Sequence, residues 1–239
     1  MENDKLSKAK INARLRRPIG NGLEFDHLIK KPENEKINLG LGDTEFTVKA
    51  IKAFSEKFAF QVSDLAKTFQ GKSLLATCQN IYAFMFNNIQ YQIDYVVQHI
   101  RTPANIWANR SEGVECKNYS LFASACLNVL GIKHYIRKIK QPNFKNDQFT
   151  HVYVVVPKNQ VTGDLSNGYF TIDGTRDNRT EATKTQFKDL YMEGKLPHEG
   201  LNASTAKSKK AKTAAKTTAK TTAKKPAEKS KSSKCFPFC

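Results

Sequence analysis

At Gly131 the spacing of apolar residues changes. Upstream, Leu74, Leu75, Cys78, Ile81, Tyr82, Met85 and Ile89 recur at steps of three and four, which lines one face of a helix. A second helix is expected within GVECKNYSLFASACLNVLG (113–131), stopped where Gly131 can take the left-handed backbone conformation. Downstream, IKHYIRKIK (132–140) alternates apolar with basic residues and reads as a strand. THVYVVV (150–156) and YFTIDGT (169–175) read as two more, joined by the turn-rich KNQVTGDLSNG. Helices first and antiparallel strands afterwards predict an α+β fold, with helices on one side of a sheet.

The flanks follow from the same reading. EFTVKAIKAFSEKF and SDLAKTF are helical from Thr44, and TKTQFKDLYMEG is expected to be one more helix near the end of the domain. IQYQIDYVVQHI (89–100) reads as a strand or extended segment, with Pro103 interrupting it. Residues 1–43 have no sustained period and are expected to be a flexible basic arm; 44–200 form the folded domain. Residues 201–239, dominated by Lys, Ala and Thr and ending in CFPFC, are expected to be a disordered basic tail, because they have too little apolar surface to offset ordering entropy.

Charge follows this division. Of the formal +17, the stretch 203–234 carries +10, from 11 Lys against Glu228. Lys209, Lys210, Lys212, Lys216, Lys220, Lys224 and Lys225 are therefore candidate contacts to nucleic acid or another polyanion, bound by counterion release. The alternative is a solvated extension without a partner. Five cysteines are too few for a disulfide-stapled domain and point to a reducing compartment. The N-terminal stretch lacks the apolar core of a signal peptide, and no run is long enough to span a bilayer. The expectation is a cytoplasmic protein, virion-associated if phage-encoded, with no membrane partner.

Cys116 and Cys126 differ in placement. A nucleophilic cysteine must be a thiolate, which unpaired amides and the dipole at a helix start favour; Cys116 has that position and Cys126 lies among apolar residues. A base and a group orienting it are also required. His151 opens one expected strand and Asp173 lies near the end of the next, so antiparallel pairing lets them meet. Taken singly, each has an ordinary reading: a buried thiol, a strand histidine, a turn aspartate. His134 is a competing base. No Cys or His pairs have metal-ligand spacing, and neither metal nor cofactor is expected.

Together these residues match a pattern. GVECKNYSLFASACLNVLGIKHYIRKI resembles the transglutaminase-like cysteine enzymes, papain-related and here of microbial or phage type, whose nucleophile follows a glycine-acid pair and opens a helix. THVYVVV resembles that family's strand beginning His-Ala-Trp, YFTIDGTRD its strand carrying Asp-Pro-Thr, and IQYQID with RTPANIW the strand and linker before the cysteine. Here Glu115 stands for the commoner Asp, Val-Tyr for Ala-Trp, and Gly174 for Pro. The resemblance implies a papain/transglutaminase-like core in which the nucleophile, at a helix start, packs on an antiparallel sheet. It implies Cys116 as nucleophile, His151 as general base and acid, and Asp173 as orienting carboxylate. Tyr91, Gln90, Gln92 and Trp107 are candidates for the second oxyanion donor, beside the Cys116 amide. The implied activity is acyl transfer or hydrolysis at peptide or glutamine amides, with a protein or peptide substrate. The competing function is a structural or virion-associated protein that binds nucleic acid through its tail, with catalysis dispensable.

Overall fold

The computed structural model describes residues 2–32, 36–38, 43–93, 99–142, 148–177 and 180–194. The chain runs α1 (Glu2–Leu15), β1 (Lys36–Asn38), α2 (Thr44–Lys57), α3 (Ser63–Thr68), α4 (Leu74–Asn88), β2 (His99–Arg101), α5 (Pro103–Ala108) and α6 (Cys116–Val129). Then come β3 (His134–Lys140), β4 (His151–Pro157), β5 (Tyr169–Ile172) and β6 (Gln186–Met192). This is the α+β order the periodicity predicts.

Local chemistry explains the helix boundaries. Asp43 Oδ1 accepts from the Phe46 amide at 2.8 Å to start α2, and Ser73 Oγ accepts from Ala76 at 3.1 Å to start α4. Pro103 begins α5 behind the Thr102 cap, since proline fits the first helical turn, where its missing N–H is no loss. At the other end of α6, Gly131 takes φ +67° and Ile132 donates to the Leu127 carbonyl at 3.0 Å.

Every residue from Cys116 to Asn128 is buried, so α6 is the central helix. Helices α2 to α5 pack around it, and β3 and β4 lie against it. The sheet order is β5-β4-β3-β6, antiparallel throughout, with Ile136 opposite Val154 and Val154 opposite Ile172. Alternation divides the sheet's two faces: Ile136, Val152, Val154 and Val156 join the main core, while Ile139, Tyr153 and Val155 join a smaller cluster with Ala182.

The helix expected over TKTQFKDLYMEG is instead strand β6, paired with β3 from His134–Met192 to Lys140–Gln186. Without it, β3 would present a row of unpaired backbone groups, and satisfying that row outweighs local helix propensity. Pairing also sets Asp189 opposite Arg137, whose Nε and Nη2 each donate to that carboxylate at 2.7 Å. The extended reading of 89–100 survives as a single bridge between Tyr91 and Val114 and as β2; residues 94–98 lie outside the described residues.

His134 sits on β3 with no exposed surface. Its Nδ1 lies 2.8 Å from the Ile132 carbonyl and its Nε2 2.7 Å from Ser124 Oγ, which in turn is 3.0 Å from Ser55 Oγ. Burial lowers its pKa from 6.5 to about 4, against a smaller opposing effect of the Ile132 carbonyl. The folded state thus keeps a neutral ring where the unfolded chain takes up a proton. Stability is full above the unfolded pKa and falls by about 1.4 kcal/mol per pH unit between pH 6.5 and 4. Urea unfolding is expected to lose about 2 kcal/mol from this group between pH 7 and 5, and His134→Gln to lose less over the same interval. Equal losses in the two proteins would contradict the assignment.

Candidate active site

Cys116 is the first residue of α6 and is fully buried. Glu115 enters the helix in extended conformation, and its carbonyl accepts from Asn118 and Tyr119 at 3.0 and 3.1 Å. Its carboxylate is itself buried and hydrogen-bonded to the Lys117 ammonium. Cys78 and Cys126 are free and buried. Burial pushes the Cys78 thiol up to about 12 and Cys126 higher still, which leaves both as unreactive core groups.

His151 opens β4, and the antiparallel register with β5 carries Asp173 back beside it. His151 Nε2 lies 2.7 Å from Asp173 Oδ2, and both residues are buried. The other carboxylate oxygen accepts from Thr175 Oγ1 at 2.7 Å and from the Thr175 amide at 3.2 Å. Burial alone would raise the Asp173 pKa; the His151 charge and hydrogen bond, with the two bonds from Thr175, more than offset it and bring the pKa below the usual value. With Nε2 bound to the carboxylate, Nδ1 remains as the ring nitrogen able to exchange a proton elsewhere.

The first turn of α6 touches both partners. Ser120 Oγ lies 2.9 Å from the Cys116 carbonyl and 3.0 Å from the Val152 carbonyl, so one hydroxyl joins the start of α6 to the residue after His151. Tyr119 packs on the turn after Asp173 so closely that a Cβ at Gly174 would stand 2.9 Å from its Cδ1 and 3.1 Å from Met85 Cβ. Glycine in place of the family's proline is thus matched by a ring pressed onto the turn. Sequence reading missed Ser120, Tyr119 and Thr175, since none carries a motif of its own.

The four oxyanion candidates differ in what their side chains do. Gln90 donates to the Tyr91 carbonyl at 3.1 Å and accepts from the Arg17 amide at 3.3 Å. Trp107 Nε1 donates to Asp26 at 2.7 Å. Tyr91 is buried edge-on against Tyr119, ring centroids 6.1 Å apart. Gln92 is half-buried and lies against Gly113, whose φ of +113° and lack of a Cβ let the two approach. Backbone bonds from Val114 to Gln90 (2.9 Å) and from Gln92 to Val114 (3.1 Å) hold that segment beside the approach to Cys116.

His134, the competing base, is committed to Ser124 and Ile132. Lys209, Lys210, Lys212, Lys216, Lys220, Lys224 and Lys225 lie outside the described residues. Among the described residues no group of three or more metal-ligating side chains occurs, and no helix is long and apolar enough to cross a membrane.

Residues 60–174 match the model of a family described as a transglutaminase-like domain. No curated protein and no solved structure matches the chain.

Proposed function

We propose that this chain, whose residues 60–174 match the model of a transglutaminase-like domain, is a cysteine enzyme for acyl transfer or hydrolysis at peptide or glutamine amides. The observation that carries the reading is the buried His151–Asp173 pair, with Nε2 bound to the carboxylate at 2.7 Å and the first turn of α6 touching both neighbourhoods.

The mechanism requires the reduced thiol. His151 Nδ1 takes the Cys116 proton, and the thiolate attacks the amide carbonyl. The oxyanion is held by the Cys116 backbone N–H at the helix start, with Tyr91, Gln90, Gln92 and Trp107 as the candidates for the second donor. Imidazolium returns its proton to the departing amine as the C–N bond breaks, leaving a thioester on Cys116. Water or a lysine amine then gives its proton to His151 and attacks the thioester, which frees the acid or the new amide and regenerates the thiol. Asp173 stays ionised throughout and fixes the ring's tautomer.

The test uses the reduced full chain. Dansyl-cadaverine incorporation into casein and casein cleavage are measured for wild type and Cys116→Ala. At least one signal is expected in the wild type, with none in Cys116→Ala. Equal signals from wild type and Cys116→Ala would refute the proposal.

A further inference from the structure

Arg17 lies outside the matched domain, in the segment expected to be a free arm, yet its guanidinium meets groups from three parts of that domain. Nη2 donates to the Gly174 carbonyl at 2.8 Å and lies 3.1 Å from Tyr119 Oη and 3.3 Å from the Ile89 carbonyl. Nη1 donates to the Thr175 carbonyl at 3.3 Å and Nε to the Phe86 carbonyl at 3.1 Å. The guanidinium carbon stands 3.9 Å above the Phe86 ring. Burial, the largest influence on Tyr119, raises its pKa, so the phenol stays neutral; it donates to Ile89 and accepts from Arg17.

The surrounding segment is anchored too. Asn12 exchanges two hydrogen bonds with the Ile93 backbone, at 2.9 and 3.1 Å, and Gly20 donates to the Asn87 carbonyl at 2.7 Å. Among the described residues Arg17 has no carboxylate partner: its donors go to carbonyls and a phenol. A planar fork with five donors suits this use, whereas an ammonium cannot span the same acceptors.

We infer that Arg17 is a positioning residue for the active site, acting through the turn Asp173–Thr175. Two consecutive carbonyls of that turn converge on one guanidinium, which orients the peptide planes that aim Asp173 at His151. Thr175 is the link, because it donates to Asp173 Oδ1 and gives its carbonyl to Arg17. Through Tyr119 the same group ties the turn to the first turn of α6. The inference rests on the proposed roles of Cys116, His151 and Asp173.

The test needs no substrate. The rate of iodoacetamide alkylation at Cys116 is followed by mass spectrometry against pH, on reduced wild type, Arg17→Lys, Arg17→Gln and His151→Ala, each checked for folding by circular dichroism. An imidazole-paired thiolate stays reactive well below the ordinary thiol pKa of about 8.5. Arg17→Gln is expected to move the low-pH limb upward by about one unit or more, toward the His151→Ala profile, with Arg17→Lys between it and wild type. A wild-type limb in folded Arg17→Gln or Arg17→Lys overturns the role of Arg17 alone. A wild-type protein that titrates like an ordinary thiol, or matches His151→Ala, overturns the catalytic reading and the inference with it.

Discussion

Replacing His151 by Ala is expected to lower the turnover of the reduced protein by at least about 10³-fold, with KM changed far less. In the proposed mechanism the ring supplies both proton transfers, and the competing base cannot take its place: His134 has no exposed surface and is bonded to Ser124 and Ile132. The substitution also leaves Asp173, 5% exposed, without its His151 hydrogen-bond partner, so its carboxyl pKa should rise. The Thr175 bonds remain, which limits the loss of stability. Asp173→Asn separates the two effects: the side chain keeps its shape, but an amide NH₂ facing Nε2 favours the wrong tautomer. Steady-state kinetics on both variants, with thermal unfolding as control, make the measurement. Turnover within tenfold of wild type for His151→Ala would rule out its role as base.

The largest loss of stability is expected from Arg137→Met. Arg137 is 1% exposed, and its guanidinium donates to Asp189 twice at 2.7 Å and to Glu181 at 2.8 Å. Tyr169 and Phe187 flank it at 4.6 and 4.2 Å. Glu181 also accepts from the Tyr153 and Tyr169 hydroxyls at 2.7 and 2.8 Å. Burial pushes the Glu181 pKa up, but bonds from Lys184, Tyr153 and Arg137 bring it down to about 2, so the carboxylate stays charged after the substitution. Removing one member of such a network costs about 3–5 kcal/mol, because the remaining charges stay partly buried without their partner. Asp189→Asn in the Arg137→Met background should recover part of that loss, since one uncompensated charge is removed. Urea unfolding of the single and double variants measures this, and a single-variant loss below about 1 kcal/mol would show that the pair is no more than a surface contact.

Both experiments depend on groups that differ in how visible they are in the sequence. Cys116, His151 and Asp173 stand at element boundaries, and those boundaries are written locally: a helical repeat that ends at Gly131, β-branched runs after it, and a glycine-acid pair ahead of the cysteine. The antiparallel order of β3, β4 and β5 follows from short connections between such runs. Arg137 looked like one more basic residue in an alternating strand. Nothing nearby marks Glu181 and Asp189, 44 and 52 residues on, as its partners.

β6 is the clearest case of tertiary decision. TKTQFKDLYMEG carries good helix formers, and only the vacant edge of β3, more than 40 residues earlier, makes a strand the better use of its backbone groups. Arg17 is the same case for a side chain, since its carbonyl partner at Gly174 is 157 residues away. By itself the sequence determined most of the helical and extended segments, apart from β6, and marked Cys116, His151 and Asp173 as candidates, because periodicity, caps and spacing act over a few residues. The tertiary structure alone decided the edge strand and the arginine bonded to the turn after Asp173, because those are set by hydrogen bonds closed between distant parts of the chain.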